Sequence, residues 1–208
     1  MTMVTPARSR RDRKKAAVRA QILAAATELF SRHGIDAVTV DSIAESADIG
    51  KGTIYNYFDT KEDIVVAFMI DVERKVQARI HRFAKSNAPL HSILTDFIRF
   101  QLRLKRPHYK FVRVFLGQIL LRTDQSLPYL LEMQKVIDPP LEALFQTLQS
   151  RGLLRKDASV PELIIVFKTI QMGLSILWAV EGPPFRQTEK TLVQEIRLFC
   201  QGLEARTS

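Results

Sequence analysis

The sequence predicts an all-α protein: a small N-terminal three-helix unit followed by a larger helical bundle. Three observations lead there. Apolar residues recur at three- and four-residue spacings along most of the chain, and few segments alternate as strands do. Helix start and stop signals fall between the periodic stretches. The composition is that of a globular protein, with 46% hydrophobic and 25% charged residues and only eight Gly and nine Pro in 208 positions, which excludes disordered and collagen-like chains.

The elements follow in order. Val18, Ile22, Ala25, Ala26, Leu29 and Phe30 form one face of a first helix. Gly34 stops it, because glycine enters the left-handed region without a Cβ clash. Ahead of it, residues 1–16 carry Arg8, Arg10, Arg11, Arg13, Lys14 and Lys15 and are expected as a flexible basic arm. Thr39 caps a second helix, with Asp41 in the first turn favoured by the helix dipole. After the connection Asp48-Ile49-Gly50, a third helix is expected from about Lys51 to Phe58. A long helix runs from Lys61 past Arg82, with Ile64, Phe68, Val72 and Val76 spaced by fours. Residues 89–105 carry Ile93, Phe97, Phe100 and Leu104 on one face, and Phe111, Phe115 and Ile119 mark the next helix. Another opens at Ser126-Leu127-Pro128 and runs to Arg151 before Gly152, with a kink expected at Pro139-Pro140. Pro161 starts a helix that ends at Gly182-Pro183-Pro184, and a last one spans 187–203. The expected regions are the arm at 1–16, a three-helix unit at 17–60 and a bundle at 61–208.

Charge and cysteine usage narrow the function classes. The net charge of +9 makes nucleic acid the first partner to test. Cys200 is the single cysteine, so neither an internal disulfide nor a thiolate zinc site exists, and a reducing, cytoplasmic setting is expected. His33, His81, His91 and His108 lack metal-ligand spacing, and no metal or cofactor is expected. Uninterrupted apolar runs stay short, as Ile164 to Phe167 stops at Lys168, and the basic N-terminus lacks a signal peptide's apolar stretch. A membrane role is therefore not expected. Gly50-Lys51-Gly52-Thr53 fails as a phosphate loop, which would need Gly at Glu45 and Ser or Thr at Gly52. No catalytic constellation stands out, so an enzyme is not expected.

Two short helices joined by three residues are poor elements for stability alone. They suit presentation of one helix to the major groove, about 12 Å wide, as a helix-turn-helix. In the later of the two, the third helix, Gly52 permits close approach to the DNA backbone, Lys51 suits a guanine edge, and Thr53 and Asn56 reach phosphates or bases. Tyr55 and Tyr57 offer hydroxyls to phosphates, with a core role for Tyr55 left open. Lys61 and Thr39 sit at helix starts, where backbone N–H groups attract phosphate. Ile43, Ala44, Ile49, Ile54 and Phe58 read as core that holds the corner.

The stretches "AQILAAATELFSRHGIDAVTVDSIAESADI" and "GKGTIYNYFDTKEDIVVAF", within residues 20–69, closely resemble the DNA-binding domain of TetR-family transcriptional regulators. The resemblance rests on Phe30, Gly34, Thr39, Ile43-Ala44, Ala47, Gly52-Thr53-Ile54-Tyr55, Tyr57-Phe58 and Lys61. Asp48 and Gly50 depart from the family's frequent Gly and Ser/Thr, and neither disturbs the turn, because Asp tolerates the left-handed region. The resemblance implies that Thr39, Lys51, Gly52, Thr53, Tyr55, Asn56, Tyr57 and Lys61 touch DNA. It also implies dimerisation through the last two long helices and a small-molecule pocket in the bundle whose occupancy releases DNA.

The helix from Pro161 to Glu181 is apolar almost all round and needs cover on two sides. A second subunit is expected against Ile165, Thr169, Met172, Gly173, Ile176 and Val180, with Leu192, Ile196 and Phe199 of the last helix. A two-fold dimer predicts a near-palindromic double-stranded operator. Expected pocket residues are Phe97, Gln101, Phe111, Phe115, Gln118, Met133, Phe145, Phe167, Gln171, Ser175 and Trp178. Residues 74–122 hold twelve Lys/Arg against Asp96 alone. For Arg103, Lys105, Arg106, Lys110 and Arg113 the open readings are a solvated face, a positive field near DNA, or attraction of an anionic effector. The expected function is a ligand-responsive dimeric repressor, with a protein-binding adaptor and an enzyme acting on the bundle's ligand as alternatives.

Overall fold

The computed structural model describes residues 9–121 and 123–203, and among them helices are joined by turns with no strand. The order is α1 (Arg10–His33), α2 (Val40–Ser46), α3 (Lys51–Tyr55), α4 (Lys61–Ala84) and α5 (Leu90–Lys105). A 3-10 turn at Arg106–His108 leads to α6 (Tyr109–Leu121), α7 (Thr123–Ser150), α8 (Val160–Glu181) and α9 (Arg186–Leu203). The chain divides into two compact units between Phe68 and Met69, within α4 rather than at the expected boundary after residue 60.

Three local expectations are revised. Residues 10–16, read as a flexible arm, are the first turns of α1, because Ser9 and Asp12 form a capping box that starts the helix early. Residues 1–8 lie outside the described residues. The third helix stops at Tyr55, short of Phe58. The seventh begins at Thr123 instead of Ser126.

In the first unit α1 contributes Ile22, Ala26 and Phe30 to the interior, α2 contributes Ile43 and Ala44, and α3 contributes Ile54. Phe58, Ile64 and Phe68 complete it. Each large side chain buried this fully stabilises the unit by ~1.5–3 kcal/mol relative to exposure. Gly34 has φ +79° and its N–H donates to the Phe30 carbonyl, as the stop signal requires.

The second unit is organised round Phe167 of α8, which is fully buried. Its ring lies 6.0 Å from Phe97, 5.3 Å from Phe145 and 6.1 Å from Phe199. Leu192 and Ile196 of α9 are also fully buried in this core. Glu181, at the end of α8, accepts from the N–H groups of Gln187 and Thr188 (both 2.7 Å) and from Thr188 Oγ1 (2.6 Å), which caps α9. Desolvation opposes the charge, yet these bonds hold the carboxyl below its ordinary range.

By length and composition α8 is apolar enough to cross a bilayer, although Lys168 interrupts its apolar run. It packs instead against α6, α7 and α9, and its Lys168 donates to Asp138 Oδ1 at 2.7 Å. The basic block also separates into different roles. Lys105 is buried, Arg106 lies over the Phe185 ring at 5.4 Å, and Arg113 donates to Tyr109 Oη at 3.2 Å. Arg103 and Lys110 are exposed.

Candidate nucleic-acid interface and effector cavity

The geometry of the corner is set by short-range chemistry. Thr39 Oγ1 accepts from the Ser42 N–H at 3.1 Å, and Ser42 Oγ accepts from the Thr39 N–H at 3.1 Å, so α2 opens with a capping box. The Ile49 N–H donates to the Ala44 carbonyl at 3.0 Å, and Asp48 takes φ +50°, turning the chain towards α3. Gln21 Nε2 reaches the Ala47 carbonyl at 2.5 Å and ties the end of α2 to α1.

Two buried side chains then set the orientation of α3. Ile54 and Phe58 are anchored in the core, and Arg19 stacks over the Phe58 ring at 5.7 Å. That anchoring leaves Lys51, Gly52, Tyr55 and Asn56 exposed along one side, with Thr53 and Tyr57 half-buried beside them. Tyr55 is 47% exposed, which decides against a core role. Lys51 Nζ donates to Asp41 Oδ2 at 2.8 Å on the surface. That hydrogen bond raises the lysine's pKa above its ordinary value, so it is a cation at neutral pH.

Lys61 takes a different place from the one its sequence position suggested. Its Nζ donates to the carbonyls of Ile35 (2.8 Å), Asp36 (3.1 Å) and Val38 (3.0 Å). All three ammonium donors are thereby engaged, and the side chain locks the α1–α2 turn to the start of α4. Lys61→Met is expected to destabilise the N-terminal unit by ~1–3 kcal/mol, read as a lower urea midpoint. An unchanged midpoint would return the ammonium to phosphate contact.

The comparisons with known proteins agree with this corner. Residues 22–68 match the family model for bacterial regulatory proteins of the tetR family. The chain is 24% identical over 196 residues to the HTH-type transcriptional regulator YhgD of Bacillus subtilis, covering 93% of this chain and 98% of that protein. The chain is a TetR-family transcriptional regulator. Its fold is shared with the fatty acid degradation regulator FadR from Bacillus halodurans, at TM-score 0.72 and 20% identity over 91% of this chain and 97% of that one. It is shared as well with Thermus thermophilus FadR, a TetR-family repressor in complex with lauroyl-CoA, at TM-score 0.68 and 20% identity over 91% and 97%.

The second unit of this TetR-family regulator holds a cavity of about 140 Å³. Of the expected pocket residues, Phe115, Met133, Gln171, Ser175 and Trp178 line it. Phe97 and Gln101 border only a hollow of about 10 Å³, roughly the room for one water. Phe111, Phe145 and Phe167 are fully buried packing residues that line neither space, because their rings fill the contacts between helices. The Gln118 side chain lies outside the described residues. Sequence reasoning passed over Met69, Glu73, Leu102, Val112, Leu116 and Ile137, which also line the cavity, as does Lys105, for which attraction of an anionic effector was one open reading. Glu73 had a usable signal, being a charged position on an otherwise apolar helix face.

The dimerisation expectations divide as well. On α8, Ile165 is 65% and Val180 71% exposed, with Thr169, Met172 and Gly173 exposed and Ile176 half-buried. On α9, Leu192 and Ile196 face the chain's own core and are unavailable to a partner, and Phe199 leans on Phe167. Leu198, 68% exposed, was not anticipated.

Proposed function

We propose that this protein is a cytoplasmic homodimeric repressor that binds a near-palindromic duplex through α3 and leaves it when a small molecule enters the cavity of the second unit. The observation that carries this reading is the exposed side of α3, Lys51-Gly52-Tyr55-Asn56, held at a fixed angle by buried Ile54 and Phe58. A regulator's ligand response needs an internal space, and the 140 Å³ cavity supplies one whose lining is largely apolar. The T. thermophilus neighbour's lauroyl-CoA supports an effector with an apolar tail. The exposed apolar residues Ile165, Val166, Met172 and Val180 of α8, with Leu198 of α9, support a second copy as partner.

Selection of bound sequences from random duplexes by the full-length protein tests the reading. Enrichment of an inverted repeat is expected, with affinity falling steeply as salt rises because phosphate contacts release counterions. Failure to enrich any duplex, or binding indifferent to salt, favours the protein-binding adaptor instead.

A further inference from the structure

The effector cavity is bordered by a cation that no protein acceptor claims among the described residues. Lys105 ends α5 with its side chain nine-tenths buried, yet its ammonium finds no hydrogen-bond acceptor among the described residues. The nearest charge is Glu73 Oε1 on α4, at 3.8 Å, close enough for Coulomb attraction and too far for a hydrogen bond. The other Glu73 oxygen accepts from Gln101 Nε2 at 3.2 Å, and Gln101 Oε1 in turn accepts from Gln171 Nε2 of α8. Glu73 is therefore held by its own network, while three N–H donors of Lys105 stay open to the cavity that it lines.

The charges around the space favour an anion. Lys105 and Lys168 line the cavity against a single carboxylate, Glu73. Lys168 is matched by Asp138, which does not line it. The Lys105 ammonium meets no protein acceptor among the described residues, and a carboxylate that reaches it forms charge-assisted bonds beside a largely apolar wall. Val112, Phe115, Leu116 and Trp178 supply apolar wall for the remainder of such a molecule. The volume, close to that of a dry protein cavity that holds a benzene ring, suits a tail of about six to eight carbons.

We propose that Lys105 is the head-group receptor of the effector, and that the effector class is a medium-chain or small aromatic monocarboxylate. This rests on the cavity being the effector site of the repressor. On binding, the carboxylate takes the Lys105 donors and competes with Glu73 for the same cation.

Calorimetric titration of the full-length protein with octanoate, octanol, octylammonium and octanoyl-CoA tests this, since the four share a tail and differ in the head. Octanoate is expected to bind at least about tenfold more tightly than octanol, as an ion pair replaces a lone hydroxyl contact. Lys105→Gln should remove that advantage, bringing octanoate affinity down to about that of octanol for the same variant. Glu73→Gln, which removes the internal competitor, should tighten octanoate binding several-fold. Should Lys105→Gln fail to fold because Glu73 is left buried without a counter-ion, the double variant Glu73→Gln/Lys105→Gln replaces it in the same comparison. The proposal is overturned if octanoate does not bind at millimolar concentration. It is equally overturned if another head group binds more tightly, or if the folded glutamine variant keeps the octanoate preference. Release of a selected duplex by octanoate is scored separately, so absence of DNA binding counts against the repressor while the head-group comparison still decides this inference.

Discussion

Gly52→Ala is expected to leave the folded protein at least as stable and to weaken operator binding by about tenfold or more, equivalent to ~1.4 kcal/mol. A methyl group at Gly52 meets no atom within 4 Å in the free chain, so nothing in the fold resists it. Gly52 lies in α3, where alanine is intrinsically better than glycine by ~0.8–1 kcal/mol, and the thermal midpoint should hold or rise. The penalty arises only when α3 meets the duplex, where the added atom occupies the space of the approaching backbone. Gly52→Leu should extend the loss further with the helical circular dichroism unchanged. Equal duplex affinity for wild type and both variants would move the DNA contact away from the start of α3. The opposed responses of stability and binding separate an interface residue from a folding residue.

Phe167→Ala should cost ~3–5 kcal/mol of stability, a large share of the 5–15 kcal/mol typical of a whole domain. Phe167 is completely buried, and the rings of Phe97, Phe145 and Phe199 all lie round it. Truncation leaves a void that three aromatic neighbours on different helices cannot close together. A denaturant titration reads the effect as a lower midpoint. If stability were retained while effector binding was lost, Phe167 would belong to the pocket and the core assignment would fail. Phe115→Ala and Met133→Ala, which change the cavity wall, offer the contrast of altered ligand affinity at smaller structural cost.

The helical corner was legible because its determinants are local. Thr39 bonds to Ser42, Asp48 turns the backbone next to Gly50, and Gly34 answers to Phe30 four residues earlier. Interactions over so few residues are written directly in the order of side chains. The exposed side of α3 followed once Ile54 and Phe58 were recognised as the apolar positions. Lys61 misled for the converse reason. A lysine at a helix start is equally suited to phosphate or to backbone carbonyls, and the carbonyls that engage it belong to residues more than twenty positions earlier.

The bundle was legible as helices but not as a site. Aromatic residues at helical spacing mark both packing and pocket walls, so Phe115 and Phe145 could not be told apart by pattern. Leu192 and Ile196 have the same apolar spacing whether they meet their own core or a second subunit.

From the sequence alone came the all-helical class, the positions of most helix ends, and the corner that reads DNA. These depend on periodicity and on bonds between near neighbours. The tertiary structure decided which apolar faces are already covered, that Lys61 serves the fold, and that Lys105 and Glu73 meet in a cavity. Those outcomes depend on side chains brought together from distant helices, where burial raises the energetic weight of every charge and hydrogen bond left unmet.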